Sequence, residues 1–129
     1  MKILCIGEAV LDKVYFLETN FKNGLKFVAK DFYYELGGSA LRAGLVLKKL
    51  GADVVFITCL GKDKEGEIVL NELRKRKIKV VFSLSGTTKE NIVIVTKEDR
   101  SIIKKPIRKQ KLKIKNINLI KSSDLIILV

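Results

Sequence analysis

Two adjoining stretches decide the fold: GGSALRAGLVLKKL (residues 37–50) and GADVVFITCL (residues 51–60). In the first, small and apolar residues recur at helical spacing, which predicts a helix over residues 39–50 that packs closely against a sheet. In the second, residues 53–60 are almost wholly apolar, as is typical of a parallel strand covered on both faces. On one face of the predicted helix lie Ala40, Ala43, Gly44 and Leu47. Together the two stretches predict an α/β fold.

The flanking segments continue this alternation of strands and helices. Residues 2–6 form a short apolar run that ends at Gly7, which predicts a buried first strand. Further along, the pattern predicts an amphipathic helix over residues 64–77, a short strand over 80–83 and a final buried strand over 124–129. Such alternation favours a doubly wound α/β fold with a mostly parallel sheet.

Two other segments show strand patterns that suit hairpins. Residues 13–36 contain aromatic and β-branched stretches broken at Asn20 and at Asn23-Gly24, which predicts two or three antiparallel strands. Residues 91–96 and 101–104 flank a polar turn and predict a second hairpin. We expect these strands to form a small antiparallel sheet beside the parallel one.

Composition excludes several classes of protein. The chain has 129 residues, 47% of them hydrophobic, which is enough for the core of one domain. Its apolar runs fall far short of the roughly 20 residues that span a bilayer, and its N-terminus lacks a signal-peptide pattern, so we expect a cytoplasmic protein. Histidine is absent, which excludes Ser-His-Asp and Cys-His nucleophile systems. Cys5 and Cys59 lie in apolar runs and are expected to be reduced core thiols.

The formal net charge of +12 raises the question of nucleic-acid binding. Seven cations lie between residues 104 and 115 with no acid among them. Seven of the nine aromatic residues lie between residues 15 and 34 instead, so the basic run lacks the stacking side chains of a single-strand binder. We therefore expect a solvated face and do not expect nucleic acid as a partner. The abundance of lysine and isoleucine also suits a thermophilic protein.

Three short motifs follow one another along the chain: GEAVLD (residues 7–12), GGSA (residues 37–40) and GKDKEG (residues 61–66). In order and spacing they resemble the N-terminal half of the ribokinase/PfkB family of carbohydrate and nucleoside kinases. The resemblance covers residues 1–129 and implies part of a ribokinase-like doubly wound, mostly parallel sheet with a small antiparallel β lid. The lid strands are then expected within residues 13–36 and 91–104.

The resemblance implies substrate-binding roles for residues of the first two motifs. Asp12 follows the first predicted strand, where open α/β sheets bind ligands, and family analogy assigns it hydrogen bonds with two adjacent sugar hydroxyls. By residue type alone, Asp12 also suits a helix or turn cap. Gly37 and Gly38 would let the backbone approach a sugar, or would simply form a tight turn. For Asp63, in the third motif, we favour an N-cap of the next helix.

Arg42 departs from the family pattern, and it is the fourth candidate substrate-binding residue. The family typically has an Asn in this helix turn, and that Asn contacts substrate hydroxyls, whereas an arginine is longer and permanently charged. Either the substrate carries a phosphate or carboxylate that pairs with Arg42, or sugar recognition is weakened.

The donor side of a kinase has no counterpart in the sequence. In the family, the catalytic aspartate, the Gly-Ala-Gly-Asp motif and the nucleotide pocket belong to the C-terminal half, and no such motif occurs in these 129 residues. We therefore predict the substrate-binding half of an ATP-dependent sugar kinase, truncated or split before its catalytic half. This half is expected to hold no catalytic residue and no metal ligand, and ATP and Mg²⁺ are expected only in the intact family enzyme. The alternatives are a non-catalytic sugar-binding or dimerisation module and, more remotely, a nucleic-acid-binding domain.

The expected partners are a small sugar or sugar derivative together with a second copy of the chain or a missing C-terminal half. Residues 125–129 form a predicted strand with no helix after it and no charge or proline within it. An unprotected apolar edge of this kind favours self-association.

Overall fold

The computed structural model describes residues 1–129 and arranges their strands in two four-stranded sheets. The strands are β1 (Lys2–Ile6), β2 (Val10–Phe16), β3 (Asp31–Gly37), β4 (Asp53–Leu60), β5 (Lys79–Leu84), β6 (Lys89–Val95), β7 (Arg100–Lys104) and β8 (Leu125–Leu128). The helices are α1 (Ser39–Lys49), α2 (Lys64–Lys75) and α3 (Ile117–Lys121). The predicted α/β class and its order of strands and helices are confirmed. None of the helices is long and apolar enough to cross a membrane.

The first sheet is parallel throughout, with strand order β5-β4-β1-β8. Helices α1 and α2 cover one of its faces, where 13 buried residues, Phe56 among them, form the main core. The small residues of α1 have a packing reason, because a Cβ on Gly44 would lie 3.3 Å from the Sγ atom of Cys5. Cys5 and Cys59 are both buried and free, as the sequence predicts.

The opposite face of the parallel sheet has a thinner cover. Four buried side chains form a separate cluster there, against which Leu119 and Ile120 of α3 pack. The sequence pattern does not predict α3, because its five residues are too few to show helical periodicity. The N-cap Asn116 starts α3, since its Oδ1 accepts a hydrogen bond from the N–H of Leu119 at 3.3 Å. The four clustered side chains are Leu4, Ile6, Val55 and Ile57.

The second sheet, here called the lid sheet, has strand order β3-β2-β6-β7. Its β2–β3 and β6–β7 pairs are antiparallel, as predicted. The expectation of a wholly antiparallel lid is wrong in one respect, because β2 and β6 pair in parallel and the sheet is mixed. Both strands enter the lid sheet directly from the parallel sheet, since β2 follows β1 and β6 follows β5 along the chain.

The segment from residue 17 to residue 30 connects β2 to β3 without a third strand. Gly24 does form a turn there, with a φ of +76°. Leu17 is the only buried residue of the segment, so a strand in it would have no core to pack against. The first predicted hairpin therefore has two strands and a long connection.

The two sheets meet at the start of α1. The N–H of Gly7 donates to the carbonyl of Ile57 at 3.1 Å and holds the end of β1 against β4. Gly38 has a φ of +104°, and a Cβ there would collide with the carbonyl oxygen of Glu8. Only glycine suits this position, which brings the first turn of α1 against the segment that leads into β2.

Candidate functional site

Asp12 lies within β2, between Glu35 of β3 and Asn91 of β6 in the register of the lid sheet. Only 7% of the residue is exposed. The Nδ2 of Asn91 donates a hydrogen bond to Oδ1 of Asp12 at 2.8 Å, which fixes the orientation of the carboxylate. Asp12 caps neither a helix nor a turn, so the structure removes that alternative and leaves a buried carboxylate with spare acceptor capacity.

Gly37 and Gly38 lie beside the carboxylate of Asp12. A Cβ on Gly37 would lie 2.9 Å from Oδ2 of Asp12, so a glycine keeps the space around that oxygen free. Gly38 is the N-cap of α1, and no side chain caps this helix. The first N–H groups of α1 therefore remain available as donors at the same place.

Arg42 lies one turn after the N-cap Gly38, within α1. Its Nη2 lies 3.6 Å from Oδ2 of Asp12, which is an ionic contact but too long for a hydrogen bond. The Arg42 side chain is 56% exposed, and the guanidinium keeps most of its donors free.

A cavity of about 180 Å³ brings all four predicted residues together; we call it the Asp12 cavity. Three further polar residues line the cavity and are not predicted as site residues from the sequence: Glu35, Asn91 and Arg100. Asn91 carried a signal, since it opens an otherwise apolar strand pattern, but only the β2–β6 pairing places it beside Asp12. The lining residues are Val10, Asp12, Glu35, Gly37, Gly38, Arg42, Asn91, Val93, Arg100 and Ile102.

The reverse face of the lid sheet carries a closed network of ion pairs around Glu90. This buried carboxylate lies 2.8 Å from Nζ of Lys13 and 3.0 Å from Nζ of Lys105, and Lys13 also reaches Glu65 of α2 at 3.2 Å. Burial alone would raise the pKa of Glu90, but the hydrogen bonds from Lys13 and Lys105 outweigh it and lower that pKa. The pKa of Lys13 is raised, chiefly by its hydrogen bond to Glu90.

Asp63 is the N-cap of α2, as the favoured interpretation of the sequence has it. Its Oδ1 accepts from the N–H of Gly66 and its Oδ2 from the N–H of Thr88, each at 2.9 Å. Burial acts to raise the pKa of Asp63, but these hydrogen bonds with Thr88 and Gly66 lower it overall. Asp63 therefore fastens the start of α2 to the segment that enters β6. The chain holds no cluster of three or more Asp, Glu, Cys or His side chains placed to ligate a metal ion.

Comparison with known proteins identifies a family for this chain. Residues 1–128 match the profile described as pfkB family carbohydrate kinase. Among solved structures, the chain superposes on a putative ribokinase from Agrobacterium tumefaciens with a TM-score of 0.86 and 19% identity, over 98% of this chain and 44% of that one.

Two further solved structures show the same fold. The ribokinase from Thermotoga maritima matches with a TM-score of 0.74 and 23% identity, over 96% of this chain and 43% of that one. The fructokinase from Halothermothrix orenii matches with a TM-score of 0.75 and 19% identity, over 99% and 46%. The chain thus spans less than half the length of each of these relatives.

Proposed function

The chain belongs to the pfkB family of carbohydrate kinases, and on that basis we propose that it supplies the sugar-binding half of an ATP-dependent sugar kinase. The observation that carries this proposal is the placement of Asp12. Its buried carboxylate faces a cavity in which Gly37 and Gly38 remove side-chain bulk and the start of α1 presents free N–H groups. A sugar needs such a combination of acceptors and donors within a small volume.

In this proposal Asp12 accepts hydrogen bonds from two neighbouring hydroxyls of the sugar. The hydrogen bond from Asn91 to Oδ1 holds the Asp12 carboxylate in one orientation. The remaining lone pairs of both oxygens can therefore accept hydrogen bonds from a ligand in a fixed direction. A hydroxyl held in this way is oriented for attack on a phosphoryl group. Phosphoryl transfer depends largely on such positioning and on electrostatic stabilisation.

We assign the phosphoryl donor and the general base to sequence beyond these 129 residues, because the chain corresponds to only 44% of the length of the A. tumefaciens relative. ATP and Mg²⁺ are expected to act there. The 129-residue chain alone should therefore show no ATP-dependent phosphorylation of pentoses, hexoses or nucleosides. Steady turnover by the purified chain would contradict this assignment. A cytoplasmic location and the absence of nucleic acid as a partner stay predictions.

Calorimetric titration of the 129-residue chain with D-ribose, D-fructose and adenosine tests sugar binding. Asp12→Asn should weaken binding of the preferred compound about 100-fold, because two hydrogen bonds to a charged acceptor are lost or weakened. Asp53→Asn is the matched control, since Asp53 is exposed and lies outside the Asp12 cavity. Equal affinities for both variants, or no binding of either the free sugars or their phosphate esters, would contradict the proposed function.

A second candidate function, a dimerisation module, is favoured by the edge of the parallel sheet. β8 pairs with β1 on one side only, and Leu125, Ile126 and Leu128 are exposed along it. In this proposal a second copy pairs along β8. Sedimentation equilibrium at micromolar concentration should then give more than 14.5 kDa, and Leu128→Lys should restore the monomer. A monomeric wild-type chain would contradict dimerisation and leave sugar binding unaffected.

A further inference from the structure

A second and larger cavity adjoins the Asp12 cavity; we call it the cationic cavity. Its volume is about 570 Å³, a size typical of a ligand site. Five of its nine lining residues are cations and only Glu35 is an acid. The lining residues are Glu35, Leu36, Arg42, Leu45, Lys48, Lys49, Arg76, Ile78 and Arg100.

The two cavities are neighbours, because Glu35, Arg42 and Arg100 line both. Arg42 and Arg100 therefore border both the cavity that holds the Asp12 carboxylate and the wider, positively charged space. A ligand whose hydroxyls contact Asp12 would extend past Arg42 and Arg100 into that space.

Most of the cations in the cationic cavity are not neutralised by the protein. Lys48, Lys49 and Arg100 form no ion pair, and Arg42 has only its long contact with Asp12. Arg76 is the exception, with its Nη1 2.7 Å from Oε2 of Glu72. Charges left unpaired around a concave surface attract an anion.

Resting on the proposed function, we propose that the substrate is a phosphorylated sugar whose phosphate binds in the cationic cavity, between Arg42 and Arg100. A sugar phosphate carries a charge of about −1.5 to −2 at pH 7, and the planar guanidinium matches phosphate oxygens with two parallel hydrogen bonds. Lys48 and Lys49 also complement the dipole at the end of α1, so the direct contacts are assigned to the two arginines. This assignment gives Arg42 a purpose at a position where a neutral amide would suit an uncharged sugar.

Calorimetric titration of the 129-residue chain tests the proposal with two matched pairs of probes, D-fructose with fructose 6-phosphate and D-ribose with ribose 5-phosphate. The wild-type chain should bind at least one phosphate ester about tenfold or more tightly than its parent sugar, because charged hydrogen bonds are gained. Inorganic phosphate alone should bind much more weakly, since it lacks the hydroxyls for Asp12.

Arg100→Gln should reduce the ratio of ester affinity to sugar affinity about tenfold. Arg108→Gln removes the same charge outside both cavities and should leave that ratio unchanged. Chemical denaturation of each variant verifies that it is folded. The ratio should also rise between pH 5 and pH 7, as the phosphate loses its second proton near pH 6.

The outcomes separate this inference from the function on which it rests. If both esters bind no better than their parent sugars while Asp12→Asn still weakens sugar binding, the cationic cavity is not a phosphate site and the proposed function stands. Inorganic phosphate that binds as tightly as the ester, or a ratio unchanged by Arg100→Gln, would also overturn the inference. If neither sugars nor esters bind, both proposals fail.

Discussion

Asp12 and Lys13 are neighbours in β2, yet their side chains lie on opposite faces of the lid sheet in contrasting surroundings. On the face of Lys13, the charged groups satisfy one another: Glu90 accepts from Lys13 and Lys105, and Lys13 reaches Glu65. On the face of Asp12, one amide holds the carboxylate and the nearest cation, Arg42, stands 3.6 Å away.

The contrast separates charges that stabilise the lid from charges that remain available to a ligand. A buried carboxylate that already bonds one lysine through each oxygen, as Glu90 does, has less capacity for a further partner. Asp12 keeps that capacity because Gly37 leaves the space beside Oδ2 empty. The lid sheet is therefore fixed from one side and open on the other.

The open face depends on the close approach of the backbone at Gly38 to the carbonyl of Glu8, and we expect this position to be the most sensitive to substitution. Gly38→Ala should lower the free energy of unfolding by about 3 kcal/mol, because a positive φ is strained for alanine and its Cβ would collide with the carbonyl of Glu8. Gly51→Ala is the control, with a φ of +91° but no atom within 4 Å of the added Cβ. It should cost only about 1 kcal/mol. Equal losses in urea denaturation would show that the backbone approach at Gly38 is unimportant.

The ion pairs on the closed face of the lid sheet should matter more for stability than for sugar binding. Glu90→Gln should lower the free energy of unfolding by about 2 kcal/mol, since it leaves Lys13 and Lys105 without their shared carboxylate. Asp12→Asn should cost less than about 1 kcal/mol, because the contact between Asp12 and Arg42 is long and the Arg42 side chain is largely exposed. Sugar affinity should respond in the opposite order. A Glu90→Gln variant that is fully stable, or that loses sugar binding as Asp12→Asn does, would remove the distinction between the faces.

A smaller effect concerns pH and the same closed face. The pKa values of Glu90 and Asp63 are lowered in the folded chain, so their contribution to stability is present above the ordinary carboxylate range of about 4 and is lost as the pH falls through their folded values. The pKa of Lys13 is raised, so its contribution is lost only as the pH rises above about 10.4.

Denaturation curves between pH 2.5 and 7 test this pH dependence. The free energy of unfolding should fall on the acid side, and Glu90→Gln should reduce that fall because the titrating group is gone. Glu67→Gln, on the exposed side of α2, is the matched control and should keep the full fall. If the free energy of unfolding falls equally at acid pH in the wild type and in both variants, Glu90 is not the group responsible for the fall.

The parallel sheet is easier to predict from the sequence than the lid sheet, for a physical reason. Local patterns of apolar and small residues predict the burial of β1, β4 and the inner side of α1, and the structure confirms that burial. The contact of Asn91 with Asp12 joins residues 79 positions apart, and no local pattern encodes the parallel pairing of β2 with β6 that creates it. Arg100 was expected in a turn and instead begins β7, which places its side chain on both cavities.

The most direct test of the account is an NMR titration of the 129-residue chain with D-ribose, D-fructose or their phosphate esters, followed through the backbone amides and the Asn91 side-chain amide. Because Asp12, Gly37, Gly38 and Asn91 line one cavity, the account predicts that saturable shifts concentrate on these residues and on the first turn of α1. Lys105 and Glu65, on the closed face, should shift little. Saturable shifts confined to the closed face or to β8, or the absence of saturable shifts with all four compounds, would contradict the claim that the open face of the lid binds sugar.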